Sequence, residues 1–297
     1  IKNKINRYES QRTREELQLI AKNINKVDEL IVTDLNFGMY KQDMETAKEI
    51  ANIQKNYNYP ISVDAPAGKN MPKRIINIAS IMKGWSMGGV IQSSDPDVLK
   101  AIKRSNISIS AYQDLIDFGN KQKTNRTYTE IILGLPSDTK ERHFKSLRLG
   151  VEKSVNNLRM HQAMLLTGTE MASKRDREKY GLVTKFRTLP GNVGNYNILN
   201  EEHPVAEIEE IVVGSNTLSM NDYVECRIMN LIIKTFYNNN IFNEIHSTQR
   251  AMGISPFDCL VYIKDHEEMY TKKVKKIIES FVTETTEDLF DTREKAN

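Results

Sequence analysis

An α/β fold made of repeated strand–helix units is the class this sequence predicts. Three observations predict it. Apolar stretches begin about every 30 residues, each followed by a segment of helical periodicity, the length of one βα unit. The 297 residues suit one large α/β domain, or one domain with a helical appendage. Only two cysteines occur, Cys226 and Cys259, so neither a disulfide framework nor a four-cysteine zinc site can organise the chain.

The elements follow in order. Leu17, Ile20, Ala21 and Ile24 recur at the spacing of an amphipathic helix over residues 10–25, and 30–35 follows as a short strand. Met44, Ala47, Ile50 and Ala51 place a second helix over 43–56, then come a strand at 60–63, a helix at 71–82 and a strand at 87–92. Residues 96–103 and 112–122 read as helices, 128–133 as a strand, 140–154 as a helix and 158–166 as a strand. Alternation of this kind means a parallel sheet, either doubly wound or closed towards a barrel. No G-x-G-x-x-G follows the first strand, which favours the barrel. Beyond 167 the pattern changes. Residues 189–196 read as a loop, 201–210 as a solvated acidic segment, and 222–237, 257–263 and 269–281 as helices.

Composition excludes several classes. The net charge of +3 is too small to drive nucleic-acid or membrane binding, and no apolar stretch approaches the roughly 20 residues that span a bilayer. A cytoplasmic setting is the expectation. No H-E-x-x-H or H-x3-H spacing points to zinc. Ile1-Lys2-Asn3-Lys4 resembles neither a signal peptide nor an ordinary translation start, so the chain is expected to begin inside a longer one.

Three strand-end turns can carry chemistry. Asp34, Asn36 and Phe37, closed by Gly38, offer polar contacts and an apolar ring, although an Asx turn explains them equally. Gln92 is an amide where a parallel strand should be apolar; Ser94 with Asp97 fits a capping box, and Arg104 can meet a carboxylate. Glu130 interrupts a core run and needs a partner; Gly134-Leu135 lets a flat ring approach the backbone, and Asp138 with Glu141 looks like a helix cap. His161 shares a strand face with Ala163 and Leu165; it can point inward with Gln162 towards the helices, and the opposite register is equally allowed, while Trp85 and Gly88-Gly89 read as packing.

The succession D-L-N-F-G, V-I-Q-S-S-D-P-D-V-L-K-A-I-K-R and T-E-I-I-L-G-L-P-S-D-T resembles the radical S-adenosylmethionine (SAM) superfamily, in particular its cobalamin-domain-containing branch. The likeness covers residues 7–166, and M-H-Q-A-M-L-L-T-G-T-E-M continues it. It implies a partial (β/α)6 TIM-like barrel lacking its first strand (residues 1–183), followed by a loop and an α-helical C-terminal region (184–297). It also implies that SAM is cleaved reductively to start radical chemistry on a substrate the sequence does not identify. The resemblance puts Asn36, Phe37, Gln92, Ser94, Arg104, Glu130, Gly134 and Leu135 at SAM. His161 is a candidate for substrate contact.

The departure is the cluster loop. The family holds a [4Fe–4S] cluster on C-x3-C-x2-C, and these residues contain no such motif. The cluster ligands are therefore expected outside this chain, no metal ligand within it, and no turnover by the fragment alone. For the parent the resemblance implies a reductant such as flavodoxin or ferredoxin. The branch allows a cobalamin-binding domain upstream, for which no residue here speaks. The loop around 188–196 and the C-terminal helices are candidates for a lid. Two other readings stay open: a cluster-less barrel acting as a binding module for a metabolite or partner, and a conventional α/β barrel lyase or isomerase.

Overall fold

The computed structural model describes residues 8–68, 71–121 and 127–296. Ile1-Lys2-Asn3-Lys4 and positions 7 and 122, which the sequence analysis uses, lie outside them. The described elements are α1 (Ser10–Asn23), β1 (Glu29–Ile31), α2 (Asp43–Tyr57), β2 (Ser62–Asp64), α3 (Pro72–Ala79), β3 (Met87–Gly88), α4 (Pro96–Ala101) and α5 (Ile109–Lys121). After them come β4 (Thr127–Leu133), α6 (Lys140–Glu152), β5 (Asn157–Gln162), α7 (Lys174–Tyr180), β6 (Val183–Ile198), β7 (Glu201–Gly214) and α8 (Met220–Phe236). The last are α9 (Asn243–Ala251), α10 (Pro256–Asp265), α11 (Lys272–Glu287) and α12 (Arg293–Ala296). The fold is α/β, as the alternation predicts.

The chain divides into two compact units. The first comprises residues 1–91, 106–129 and 153–157. In it β1 pairs with β2 in parallel, Val63 bridges to Trp85 in the same sense, and β3 pairs in parallel with the start of β4. The strands are shorter than periodicity suggests because only a few central positions, such as Leu30 and Val63, face the core. Ala47, Ile50 and Ile53 of α2 and Ile75 and Ile78 of α3 close over them. Burying each of these isoleucines contributes about 1.5–3 kcal/mol.

Trp85 is fully buried, donates its indole N–H to the Ala65 carbonyl (2.9 Å) and meets the Phe37 ring edge to face. Gly88 and Gly89 admit two more rings. A Cβ on Gly88 would fall 2.2 Å from the Tyr128 ring, and one on Gly89 2.4 Å from the Tyr112 ring. Both glycines are there for close packing, as their strand context suggests.

The second unit comprises residues 92–105, 130–152 and 158–297. Here the Ala163 N–H donates to the Leu133 carbonyl, the Val212 N–H to Ala163 and the Leu165 N–H to Glu210, so β7 extends the strand array. Leu133, Ile211 and Val213 pack under Tyr223 and Cys226 of α8. Val98, Leu135, Ala163, Leu165 and Val212 form a second cluster.

The expected loop at 189–196 is instead part of β6, paired antiparallel with β7 from Val183–Gly214 to Ile198–Glu201. A register shift between Thr188 and Val193 takes up Leu189, Pro190, Gly191 and Asn192, the residues that mimic a loop in sequence. The acidic segment is solvated along residues 201–205, but its continuation Ile211–Val213 is core. Among the described residues, no helix is long and apolar enough to cross a membrane.

Candidate functional site

Gln92 stands at a strand end in the second unit. Its N–H donates to the Glu130 carbonyl (2.8 Å), its own carbonyl accepts from the Ile132 N–H (2.9 Å), and its Cα partner is Ile131. The backbone there is left-handed, with φ of +52°. Side-chain-bearing residues rarely adopt that region, and holding one there costs on the order of 1–3 kcal/mol. The side-chain Oε1 is also sealed from solvent without a hydrogen-bond donor. A buried acceptor left unpaired costs about 1–3 kcal/mol. Two unfavourable features thus coincide at one strand end.

Around it the turns are locked. Ser94 donates its N–H to Ser146 Oγ (2.8 Å), and the two hydroxyls lie 3.1 Å apart. The cap of α4 is Asp95 rather than Ser94, its Oδ1 accepting from the Asp97 and Val98 N–H groups. Likewise α6 starts under Thr139, whose Oγ1 accepts from the Arg142 N–H, so Asp138 is no cap. Arg142 was missed in sequence, where it reads as one more charge on a solvated helix face. Its guanidinium meets Asp97 Oδ2 (2.7 Å), Asp95 Oδ2 (3.5 Å) and the Ser137 carbonyl (2.5 Å). This fork joins the 92–97 turn to the 134–139 turn.

Glu130 finds the partner its position demands in Arg159, at 3.7 Å on β5. The alternate positions of β4, Ile131 and Leu133, are fully buried, which puts Glu130 on the opposite face of the strand. Gln162 donates to the Tyr223 hydroxyl of α8, while His161 is exposed. The structure thus selects the register in which Gln162 faces the helix and His161, with Arg159, the other side.

Gly134 has φ of +84°, and a Cβ there would come within 3.2 Å of the Val212 carbonyl. Leu135 buries its side chain in the Val98 cluster, leaving only its backbone for a ligand. Asp138 is 1% exposed, with its carboxylate accepting from the Gly134 (3.4 Å) and Thr139 (3.0 Å) N–H groups. Burial pushes its carboxyl up to about 7, against the pull of those N–H groups. Arg104 is exposed, and the neighbouring cation Lys103 pairs with Glu170.

The remaining two candidates belong to the first unit. The Asn36 N–H closes an Asx turn on Asp34 Oδ1 (2.9 Å), with its side chain exposed. Phe37 is 2% exposed, its ring taken up by Trp85.

No metal centre can be built from the described residues. Cys226 is fully buried in α8, where burial pushes its thiol up, and Cys259 is half-buried in α10. Among the described residues, no three His, Cys, Asp or Glu side chains gather to hold an ion. A [4Fe–4S] cluster, which needs three thiolates, does not fit them.

No protein-family model matches the chain. It is 29% identical over 234 residues to the cobalamin-dependent radical SAM methyltransferase TokK of Streptomyces tokunonensis, covering 74% of this chain and 32% of that protein. It is 28% identical over 235 residues to the 2-(S-pantetheinyl)-carbapenam-3-carboxylate methyltransferase of Streptantibioticus cattleyicolor, with the same two coverages. The chain spans about a third of the length of both. A solved structure of the radical SAM methyltransferase TsrM of Kitasatospora setae, with tryptophan and a SAM analogue bound, superposes with a TM-score of 0.44 at 14% identity. That match covers 65% of this chain and 36% of TsrM. The resemblance read from the strand-end motifs is borne out by the likeness to TokK, a cobalamin-dependent radical SAM methyltransferase.

Proposed function

We propose that these residues form the SAM-binding part of a radical SAM enzyme. Its parent cleaves SAM reductively at a [4Fe–4S] cluster and, like its relatives, transfers a methyl group with the help of cobalamin. One observation carries the SAM assignment: the sealed, donorless Oε1 of Gln92 at a left-handed strand end. SAM brings hydroxyl and amino donors, which satisfy such an acceptor. Glu130 adds a second acceptor, and the Gly134-Leu135 backbone a surface that a flat ring can approach. Ser94 acts by fixing the Gln92 turn to α6, and Arg142 by holding the two turns in register.

The cluster thiolates must come from residues other than these 297, and no residue here is assigned to cobalamin. The chain by itself then binds SAM without cleaving it. Calorimetric titration of SAM into the intact chain, followed by anaerobic dithionite reduction and chromatography for 5′-deoxyadenosine, tests both parts. Saturable binding with no 5′-deoxyadenosine is expected. Absence of binding overturns the SAM assignment and returns the chain to the class of binding modules for another ligand. Release of 5′-deoxyadenosine overturns the placement of the cluster ligands elsewhere.

A further inference from the structure

Among the described residues, Arg227 of α8 is a half-buried cation without an anion. Its Nε is sealed from solvent and has no acceptor. Its guanidinium lies 5.0 Å above the Phe281 ring of α11. The groups acting on it are the Tyr223 phenol, one helical turn earlier, and Arg187, itself held by Glu209 at 2.5 Å. Burial and the Arg187 charge both oppose its ionisation. Elsewhere in this unit Arg177 meets Glu210, Arg187 meets Glu209 and Arg142 meets Asp97, while Arg250 donates to the Val151 carbonyl.

Phe281 also lines a groove of about 530 Å³ with Leu231, Lys273, Lys276 and Ile277. Its one carboxylate, Glu284, accepts from Ser280 Oγ at 3.1 Å. Neither lysine forms an ion pair among the described residues. An apolar floor edged by two lysines therefore meets a guanidinium fork that no described residue fills.

We propose that Arg227 and the adjoining α8–α11 groove bind an organic oxyanion, a carboxylate or phosphate monoester with an apolar chain. The head group pairs with the guanidinium in the bidentate manner that arginine favours. The chain lies along Leu231 and Phe281, and Lys273 and Lys276 add charge at the rim. This site is separate from the residues assigned to SAM and stands whether or not that assignment does.

Octanoate, octyl phosphate and octylamine, titrated into the intact chain, provide the test, with the Arg227 Nε–H resonance and the melting temperature as readouts. Both readouts should rise or shift with at least one anion and stay still with octylamine. Affinity should fall about tenfold or more in Arg227→Met, a loss of about 1.4 kcal/mol, with Arg227→Lys between. The tighter of the two anions identifies the head group. Without ligand, Arg227→Met should melt no lower than the parent chain, since an unpaired half-buried charge gives way to packing. Equal affinity in the parent and Arg227→Met, or an unmoved Arg227 resonance with both anions at millimolar concentration, overturns the proposal. So does a lower melting temperature in Arg227→Met with unchanged binding, which makes the residue structural.

Discussion

At the end of β1, every group that looked able to meet a ligand has work inside the fold except one. Asp34 accepts from the Asn36 N–H, Phe37 fills the core beside Trp85, and only the Asn36 amide faces solvent. The strand end at Gln92 is built from the same residue types, yet it keeps a sealed acceptor unfilled and an unfavourable backbone conformation. Residue type alone does not distinguish the two. What does is an account of where each polar atom's hydrogen bond goes, together with the strain left over.

That contrast can be broken by substitution. Phe37→Ala should show the largest effect, a loss of about 3–5 kcal/mol in denaturant unfolding, as for a large ring removed from a packed core. A loss below about 1 kcal/mol would mean that the first turn is held for a ligand after all.

Asp138 comes next. Its carboxyl titrates near 7 in the folded chain and near 3.8 when free, so the folded state binds the extra proton between those values. Its contribution is fully present below about pH 4 and is lost as pH rises through 7, a change of a few kcal/mol in all. Unfolding from pH 4 to 8 should therefore show parent stability falling relative to Asp138→Asn; parallel curves would exclude a buried neutral acid.

Gln92→Ala should have the smallest effect on folding, under about 1 kcal/mol, because it removes an acceptor that has no partner. It should nevertheless weaken SAM binding about tenfold by calorimetry. A large loss of stability with unchanged affinity would make Gln92 as structural as Phe37.

Much of the fold from residue 10 to 166 was legible because helices and strands there follow their own periods, and the helix ends fell within a few residues of those expected. The β6–β7 hairpin was not, since Pro190, Gly191 and Asn192 sit in a bulge and look like a loop. The solvated half of β7 likewise hides the core residues that follow it. At the candidate site, Gln92 and Glu130 stood out as polar interruptions of apolar strands. Arg142 and Ser146 did not, because their partners lie some 45 to 52 residues away and no local pattern reveals such a distance. Arg227 was missed for the opposite reason: what sets it apart is a missing partner, and a sequence cannot display one.

The Arg142 fork has a mechanical consequence. Because a single planar group grips Asp95, Asp97 and the Ser137 carbonyl together, the start of α4 and the start of α6 share one degree of freedom. A shift of either strand tip therefore bears on its neighbour through this one side chain.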